Sequence, residues 1–186
     1  MKLTKTDLVG AFILEPDVHG DSRGWFMETY NESEFHRLGI DTVFVQDNQS
    51  YSSKKGIIRG LHCQTNPHSQ TKLIRCTRGA FLDVIVDIRK GSPTYLKHIM
   101  VELSAENKRM LYIPKGFLHG FVTLTDEVEA QYKVDDFYYK ENDRSVRYDD
   151  PQIGVEWPVK PTELSKKDSS APLLKDSDCI FEYGKD

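Results

Sequence analysis

Residues 56–64 read GIIRGLHCQ and set an arginine, a histidine and a glutamine into a short apolar run. The aliphatic residues of this run predict a β-strand that is at least half buried. Because alternate residues of a strand point to opposite faces, Gly60, His62 and Gln64 are predicted to share one face. Polar groups on a core strand are costly unless they line a polar cavity, so the stretch is a candidate site.

The glycine and the histidine of this stretch each allow two interpretations. Gly60 marks either a β-bulge or a point where a ligand approaches the backbone closely. On this strand alone, His62 is explained equally well as a structural histidine hydrogen-bonded by its neighbours and as a functional one.

The whole chain has the composition of an ordinary soluble protein. It has 186 residues, 38% of them hydrophobic and 29% charged, which predicts one domain over residues 1–186 with a sizeable core. The formal net charge of -4 provides no general basic field for nucleic acid or an anionic membrane. No apolar run is long enough to span a bilayer, and the N-terminal residues MKLTKTDLVG lack the apolar stretch of a signal peptide.

The three cysteines, Cys63, Cys76 and Cys179, are odd in number, widely spaced and without a CxxC pair. This pattern favours a reducing compartment and gives no zinc signature. We therefore expect a cytoplasmic protein.

Short strand candidates flank the central stretch. They are separated by turn-forming or polar residues and cover residues 11–14, 42–45, 72–77, 80–89, 98–103, 109–113, 120–124 and 128–134. In residues 80–89 the alternation predicts one apolar and one polar face. Short strands at this spacing predict an all-β protein built as an antiparallel sandwich or barrel.

Two short helices and a turn are also predicted. Asn31 is a suitable cap for a helix over residues 32–38. The polar residues 46–48 lie between strand signals and are interpreted as a simple turn. Residues 151–186 form a looser tail with a short helix in residues 164–168, for which Ser165 is the candidate cap.

Four further side chains, Lys72, His119, Tyr132 and Asp168, are candidates for chemistry. Taken singly, each is better explained in an ordinary way, as a solvated lysine, a tyrosine packed in a strand or a surface carboxylate. The residues alone assign no role to them.

The sequence lacks the common motifs of metal binding, nucleophilic hydrolysis and phosphate loops. The chain has neither an HxH nor an HExxH motif, so a metal site would need His62 and His119 to meet in the fold. Gln64 and Glu129 would then be the further ligands. The chain has no GxSxG elbow, P-loop or GxGxxG, so a phosphate would be bound by arginine and lysine side chains.

Longer motifs run through the chain from about residue 10 to residue 175. They are DSRGWFME (21–28), FVQDN (44–48), RGLH (59–62), QTKL (70–73), DVIVDIR (83–89), SPT (92–94), LSAEN (103–107), IPKGFLHGF (113–121), YK (132–133), DP (150–151), WP (157–158) and LSKKD (164–168). In this order and combination the motifs are highly specific, and the chain resembles the dTDP-4-dehydrorhamnose 3,5-epimerase family.

The resemblance implies a cupin-like jelly-roll β-sandwich with a few short peripheral helices. It implies a homodimer that works without metal or cofactor, with the N-terminal strands in about residues 1–30 at the dimer interface. The implied substrate is dTDP-4-dehydro-6-deoxy-D-glucose, which is inverted at C3 and C5 on the way to dTDP-L-rhamnose.

The resemblance also implies residue roles. His62 is the general base and Asp168 orients it. Tyr132 is the proton donor, and Lys72 faces the C4 oxygen of the substrate. The positions of substrate contact fall on Arg23, Glu28, Gln46, Asp47, Asn48, Arg59, His119, Asp143 and Lys167, with Phe26 and Tyr138 at the positions that pack on the thymine base.

Three residues depart from the family pattern. Cys63 stands where an aromatic residue is common, Asp143 where glutamate is usual, and Ser145 where glycine is common. These departures leave open which nucleotide sugar is bound and whether both carbons are inverted. The nearest alternative is a relative that inverts C3 alone or acts on another 4-keto sugar nucleotide. A metal-dependent cupin oxygenase and a non-catalytic sugar-nucleotide binding module are alternatives of other classes.

Overall fold

The structure is a computed structural model that describes residues 1–185, in which two antiparallel β-sheets stack face to face. In spatial order, the first sheet contains β1 (Lys2–Lys5), β2 (Phe12–Glu15), β11 (Met110–Ile113), β7 (Lys72–Arg78), β13 (Val128–Val134) and β5 (Gln46–Ser52). The second sheet contains β10 (His98–Ser104), β8 (Ala80–Asp87), β12 (Phe117–Thr123), β6 (Ile58–Gln64) and β14 (Asp143–Ser145). The all-β, cupin-like sandwich predicted from the sequence is confirmed.

The remaining elements are short and peripheral. They are the hairpin of β3 (Val18–Asp21) and β4 (Gly24–Met27), the pair β9 (Arg89–Lys90) and β15 (Phe181–Glu182), helices α1 (Glu32–Arg37) and α2 (Lys166–Ser169), and a 3-10 helix (Leu174–Asp176). None of the helices within residues 1–185 is long and apolar enough to cross a membrane.

Apolar side chains from both sheets meet in the core between them. Ile74 and Leu111 of the first sheet belong to the same buried cluster as Phe81, Ile85 and Phe121 of the second. Both sheets therefore bury their facing sides, which accounts for the stability of the sandwich.

The outer faces of both sheets are also partly covered. Phe35 of α1 packs against the outer face of the first sheet. The predicted C-terminal tail covers the second sheet through Ile153, Cys179 and Phe181. The tail is thus an integral layer of the structure.

Both predicted helix caps are confirmed. The Asn31 side chain accepts a hydrogen bond from the backbone N–H of Glu34 at the start of α1. The Ser165 hydroxyl does the same for Asp168 at the start of α2. These side chains satisfy backbone donors that have no partner within the helix.

The predicted strand at residues 42–45 and the predicted turn that follows it are both wrong. Residues 42–45 are not a strand, and the predicted turn at residues 46–48 is the beginning of β5. This strand reads QDNQSYS and has no aliphatic residue, because one face lines a polar space and the other is exposed. Its position is fixed by pairing with β13, in a register that places Gln46 opposite Val134.

The predicted polar face of residues 80–89 is also wrong. Strand β8 is buried on both faces, with Val84 and Val86 against the tail and Phe81 and Ile85 in the core. Asp83, on the core side, is fully buried. A charged residue in such a strand needs a polar partner, and the partner of Asp83 is His119 on the neighbouring strand β12.

The central strand β6 contains a bulge, as one interpretation of Gly60 predicts. Its register with β12 shifts between His119 and Phe121, so that two residues of β6 lie opposite one. At Gly60, φ is +125° and a Cβ atom would lie 2.5 Å from the Gly120 Cα. Only glycine fits this close approach of two backbones.

We expect Gly60→Ala to destabilise the protein by about 3 kcal/mol, because the added methyl group both strains the backbone and collides with β12. Gly91→Ala is the matched control, since Gly91 also has positive φ but a Cβ there would meet nothing within 4 Å. The control should lose about 1 kcal/mol from backbone strain alone. Urea unfolding measures both, and equal losses would refute the close-approach argument.

Candidate active site

A cavity of about 520 Å³ lies between the two sheets. The predicted site residues that line it are Arg59, His62, Lys72, His119, Tyr132 and Asp168. The first sheet supplies the lysine and the tyrosine, the second supplies the arginine and both histidines, and α2 supplies the aspartate. The two sheets are therefore the two walls of the cavity.

The bulge in β6 determines which side chains reach the cavity. Arg59 and His62 are three residues apart in the chain, so a regular strand would point them to opposite faces. The register shift at Gly60 turns both into the cavity. Arg59 is held there by donating to Ser52 Oγ at 3.0 Å and to the backbone oxygen of Tyr51 at 2.8 Å.

His62 and Asp168 form a short hydrogen bond, with 2.5 Å between Nε2 and Oδ1. Although burial raises the pKa of Asp168, the hydrogen bond and charge of His62 outweigh it and hold that pKa below its usual value. The carboxylate therefore stays ionised at neutral pH and fixes the orientation of the imidazole. The second ring nitrogen, Nδ1, is left to exchange a proton with a ligand.

A second imidazole–carboxylate pair lies on the same wall. His119 is directly opposite His62 in the β6–β12 register, and its Nε2 atom is 2.8 Å from Asp83 Oδ1. Burial raises the pKa of Asp83 and lowers the pKa of His119. Asp83 thus orients the buried His119 ring, and within residues 1–185 its other oxygen, Oδ2, has no hydrogen-bond partner.

Lys72 and Tyr132 lie on neighbouring strands of the opposite wall. Burial lowers the pKa of Lys72 and raises the pKa of Tyr132. A partly desolvated ammonium group stabilises an oxygen that gains negative charge more strongly than a solvated one. A tyrosine that keeps its proton can donate it to a ligand from this wall.

A second lobe of about 210 Å³ shares His62, Lys72 and Tyr132 with the main cavity. Its other walls are mostly polar and consist of Gln46, Asn48, Cys63, Gln64, Gln70, Tyr138, Asp143 and Lys167. The site is therefore elongated, with these three shared side chains where its two lobes join.

The side chains of the second lobe are hydrogen-bonded to one another. Lys167 Nζ lies 2.5 Å from Asp143 Oδ2, and the Tyr138 hydroxyl donates to the same oxygen at 3.1 Å. Gln46 Nε2 donates to Asn48 Oδ1 at 2.9 Å. The Tyr138 ring is 56% exposed, so it offers an accessible aromatic surface at the mouth of the lobe.

Three predicted contact residues lie outside the cavity of their own chain. Arg23 and Phe26 belong to the exposed β3–β4 hairpin, where the Arg23 guanidinium pairs with Asp21 at 2.6 Å. Glu28 follows the hairpin and is also exposed. None of the three lines either lobe of the cavity.

Two further residues lie on the outer face of the first sheet: Asp47, predicted to contact the substrate, and Glu129, a candidate metal ligand. Asp47 pairs there with Lys133 at 2.8 Å, and Glu129 accepts from Gln49 at 3.0 Å. The two histidines of the predicted metal site do meet, but Glu129 does not join them. Across residues 1–185, no group of three or more histidine, cysteine, aspartate or glutamate side chains is arranged to hold a metal ion.

Several residues of the site are not predicted from the sequence. Asp83, which does not line the cavity but is hydrogen-bonded to His119, could have been found, because a carboxylate within the apolar run FLDVIVDIR demands a buried partner. Ser50 and Ser52 line the cavity, on the strand whose start is predicted as a turn. Their position depends on pairing with β13, for which a polar sequence gives no local signal.

We expect Lys72→Met to stabilise the fold. The lowered pKa of Lys72 means that the folded protein binds this proton less readily than the unfolded chain, whose lysine titrates near 10.5. Stability therefore rises with pH between the lowered pKa and 10.5, and the full cost of burying the charge applies below that window. Methionine removes the cost, which predicts a gain of about 1 kcal/mol at neutral pH that shrinks as pH rises.

Urea unfolding at neutral and alkaline pH measures this difference. Lys97→Met is the matched control, because the Lys97 side chain is exposed and its removal should leave the pH dependence of stability unchanged. A Lys72→Met protein that is less stable than the wild type at neutral pH would show that the buried lysine charge does not lower the free energy of unfolding.

Comparisons with known proteins identify the family of this chain. A family model described as dTDP-4-dehydrorhamnose 3,5-epimerase matches residues 5–176. The protein of that name from Salmonella typhimurium is 50% identical over 176 residues, which are 94% of this chain and 96% of that protein.

Solved structures share the same architecture. A dTDP-6-deoxy-D-glucose-3,5-epimerase from Legionella pneumophila, solved in complex with dTDP-4-keto-L-rhamnose, is 42% identical with a TM-score of 0.92, and 98% of each chain is covered. A 3'-monoepimerase from Streptomyces bikiniensis, solved with dTDP, is 33% identical with a TM-score of 0.88, covering 96% of this chain and 92% of that chain. On the family model and on a relative 50% identical over nearly its whole length, the chain belongs to the dTDP-4-dehydrorhamnose 3,5-epimerase family of isomerases.

Proposed function

We propose that this chain epimerises C3 and C5 of dTDP-4-dehydro-6-deoxy-D-glucose in the cavity between its two sheets. One observation carries the assignment of roles: His62, held by Asp168, and Tyr132 lie on opposite walls of one cavity, with Lys72 beside the tyrosine. A 4-keto sugar between these walls has a base on one face and an acid on the other. As proposed, the reaction moves only protons and requires no metal or cofactor.

His62 is the base in this proposal. C3 and C5 both adjoin the C4 ketone, so loss of a proton from either carbon gives an enolate. The hydrogen bond to Asp168 fixes the tautomer and orientation of the ring, and the carboxylate stabilises the imidazolium that forms when the proton is taken up.

Lys72 stabilises the enolate. Negative charge develops on the C4 oxygen as the proton leaves, and a cation that is already in place costs no reorganisation at that moment. Burial strengthens this interaction for the same reason that it lowers the lysine pKa. His119, oriented by Asp83, is placed to hydrogen-bond a sugar oxygen on the base side of the cavity.

Tyr132 completes the inversion by returning a proton from the opposite wall. The Streptomyces bikiniensis 3'-monoepimerase was solved with one histidine and one tyrosine replaced, and those two residues are as far apart in that chain as His62 and Tyr132 are here. This equal spacing supports a shared pair of acid–base groups. It does not distinguish inversion of both carbons from inversion of C3 alone, which remains the second candidate.

The second lobe holds the nucleotide in this proposal. Lys167 supplies positive charge for the diphosphate in this lobe, and Gln46 and Asn48 supply amide groups. Arg59 supplies a second cation from the main cavity. The exposed ring of Tyr138 is available to pack against the thymine base. The bound dTDP-4-keto-L-rhamnose of the Legionella pneumophila relative supports a ligand of this class.

We also propose a homodimer in which the β3–β4 hairpin of one subunit completes the site of the other. Trp25 and Phe26 are 58% and 65% exposed, an unusual position for two large aromatic side chains on one short hairpin. Arg23 and Phe26 stand at substrate-contact positions of the family, yet they do not line the cavity of their own chain. Docking on a second subunit would cover the aromatic residues and supply the partner's Arg23 to the diphosphate.

Turnover in deuterated water tests the acid–base roles. We expect label at both C3 and C5 with the wild-type protein, no wash-in with His62→Ala, and some wash-in without inversion with Tyr132→Phe, because the base can still exchange protons on its own face. The losses in epimerisation rate should be about 100- to 10,000-fold. NMR of the recovered sugar measures label and configuration together.

His36→Ala is the control for this experiment, since His36 also contacts a carboxylate, Asp41 at 2.7 Å, but lies on the surface. It should behave as the wild type. Label at C3 alone would establish the monoepimerase, and normal wash-in with His62→Ala would remove His62 as the base. Unchanged epimer formation with Tyr132→Phe would remove the tyrosine.

Mixed dimers test the contribution of the hairpin. Phe26→Ala and His62→Ala should each be nearly inactive alone. If the hairpin acts across the dimer, a co-expressed mixture contains some dimers in which an intact His62 site receives an intact hairpin. Activity should then recover to about a quarter of the wild-type value, because half of the dimers are mixed and each has one complete site. A mixture that stays as inactive as its components would place the hairpin in its own subunit's site, and a Phe26→Ala protein that is active alone would place it in neither site.

A further inference from the structure

Two of the three cysteines are in contact. Cys63 follows His62 in β6, and Cys179 precedes β15 in the C-terminal tail, 116 residues further along the chain. Their Sγ atoms are 3.6 Å apart. Both side chains belong to the apolar cluster that joins the tail to the second sheet.

The two sulfur atoms are close enough to be joined by a small movement. A disulfide needs about 2.05 Å between its sulfur atoms, so the pair must close by roughly 1.5 Å. The regular elements of the tail near Cys179 are short, namely the 3-10 helix and the two-residue strand β15. Cys63 also lines the second lobe of the cavity, which gives a small oxidant a route to the pair.

We propose that Cys63 and Cys179 are a reversible disulfide site that couples the oxidation state of the protein to the geometry of His62. Hydrogen peroxide is the class of oxidant that the step requires. The Cys179 thiolate attacks peroxide, which forms a sulfenic acid and releases hydroxide. The Cys63 thiol then loses its proton and attacks the sulfenic sulfur, so that the S–S bond forms and water leaves. In total, two thiols and one peroxide give one disulfide and two waters.

The surroundings favour Cys179 as the first thiol to react. The hydrogen bond from the Cys63 thiol lowers the pKa of Cys179 in spite of its burial. Cys179 is also slightly more exposed than Cys63, at 8% against 5%.

The position of the disulfide explains why it would affect the site. Movement of Cys63 toward the tail moves the neighbouring His62 relative to Asp168, and a displacement of about 1 Å in a catalytic group is enough to reduce turnover strongly. The disulfide would also close a loop of 116 residues and so stabilise the protein to heat.

Cys76 provides the internal control. It is buried, its Sγ donates to the backbone oxygens of Arg78 and Gly79 at 3.1 and 3.2 Å, and burial raises its pKa to about 11. It has no cysteine partner within the described residues. The Cys76→Ala variant should therefore show the same peroxide-induced changes as the wild type.

The full-length protein is treated with hydrogen peroxide and analysed by mass spectrometry of the intact chain and of peptides without reduction. We expect a mass decrease of about 2 Da, a cross-linked peptide pair containing Cys63 and Cys179, and a melting temperature raised by about 5 °C. Epimerisation should slow by about tenfold or more, and dithiothreitol should reverse all of these changes. The Cys179→Ala variant should show none of them.

Three outcomes would overturn the proposal. They are three thiols that stay reduced, a mass increase of about 32 Da from a sulfinic acid in place of the cross-link, and a cross-link that forms without changing the epimerisation rate. The peptide analysis of the wild-type protein needs no variant to fold. Because the cross-link and the melting temperature are read without an activity assay, failure of this proposal is distinguishable from failure of the proposed epimerase reaction.

Discussion

The site depends on the close approach of two backbones at Gly60 and Gly120. A Cβ on Gly60 would lie 2.5 Å from the Gly120 Cα, and a Cβ on Gly120 would lie 2.7 Å from the Arg59 backbone oxygen. Because neither strand has a side chain at this point, β6 can bulge while it stays paired with β12. The bulge changes which residues face inward, and Arg59 joins His62 in one cavity as a result. Without it, one of these two side chains would lie in the apolar layer beneath the tail.

The C-terminal tail supplies the carboxylate, Asp168, that orients the His62 ring. Asp168 lies on a helix of only four residues, which has little stability of its own. It is positioned by the Ser165 cap, by the parallel bridge between Ile57 and Glu163, and by the apolar contacts of the tail on the second sheet. The distance between His62 and Asp168 is therefore determined by the packing of a whole chain segment. Any change that moves the tail relative to β6 acts on the acid–base chemistry through this one hydrogen bond.

The sequence predicted the elements that have a local cause and missed those that depend on pairing. The caps Asn31 and Ser165 act on residues three positions away, so their signals are visible in the chain. Strand β5 has no apolar alternation and is recognised as a strand only through its partner β13. The residue roles came from the family motifs, whereas the bulge that unites Arg59 with His62 was only one of two interpretations of Gly60. The contact of Asp83 with His119 was not predicted, because the two residues are distant in the sequence and adjacent only across the sheet.

A sandwich of two sheets also suits a reaction that inverts a carbon centre. Stacked sheets lie about 10 Å apart, which leaves room between facing side chains for roughly one sugar ring. Groups on the two walls would meet opposite faces of that ring, as we propose for His62 and Tyr132. An open groove built on one sheet would present base and acid to the same face, and proton exchange there would restore the original configuration. In the proposed reaction the fold therefore contributes the stereochemistry directly, since a polar cavity at this point replaces the layer that elsewhere holds the apolar core.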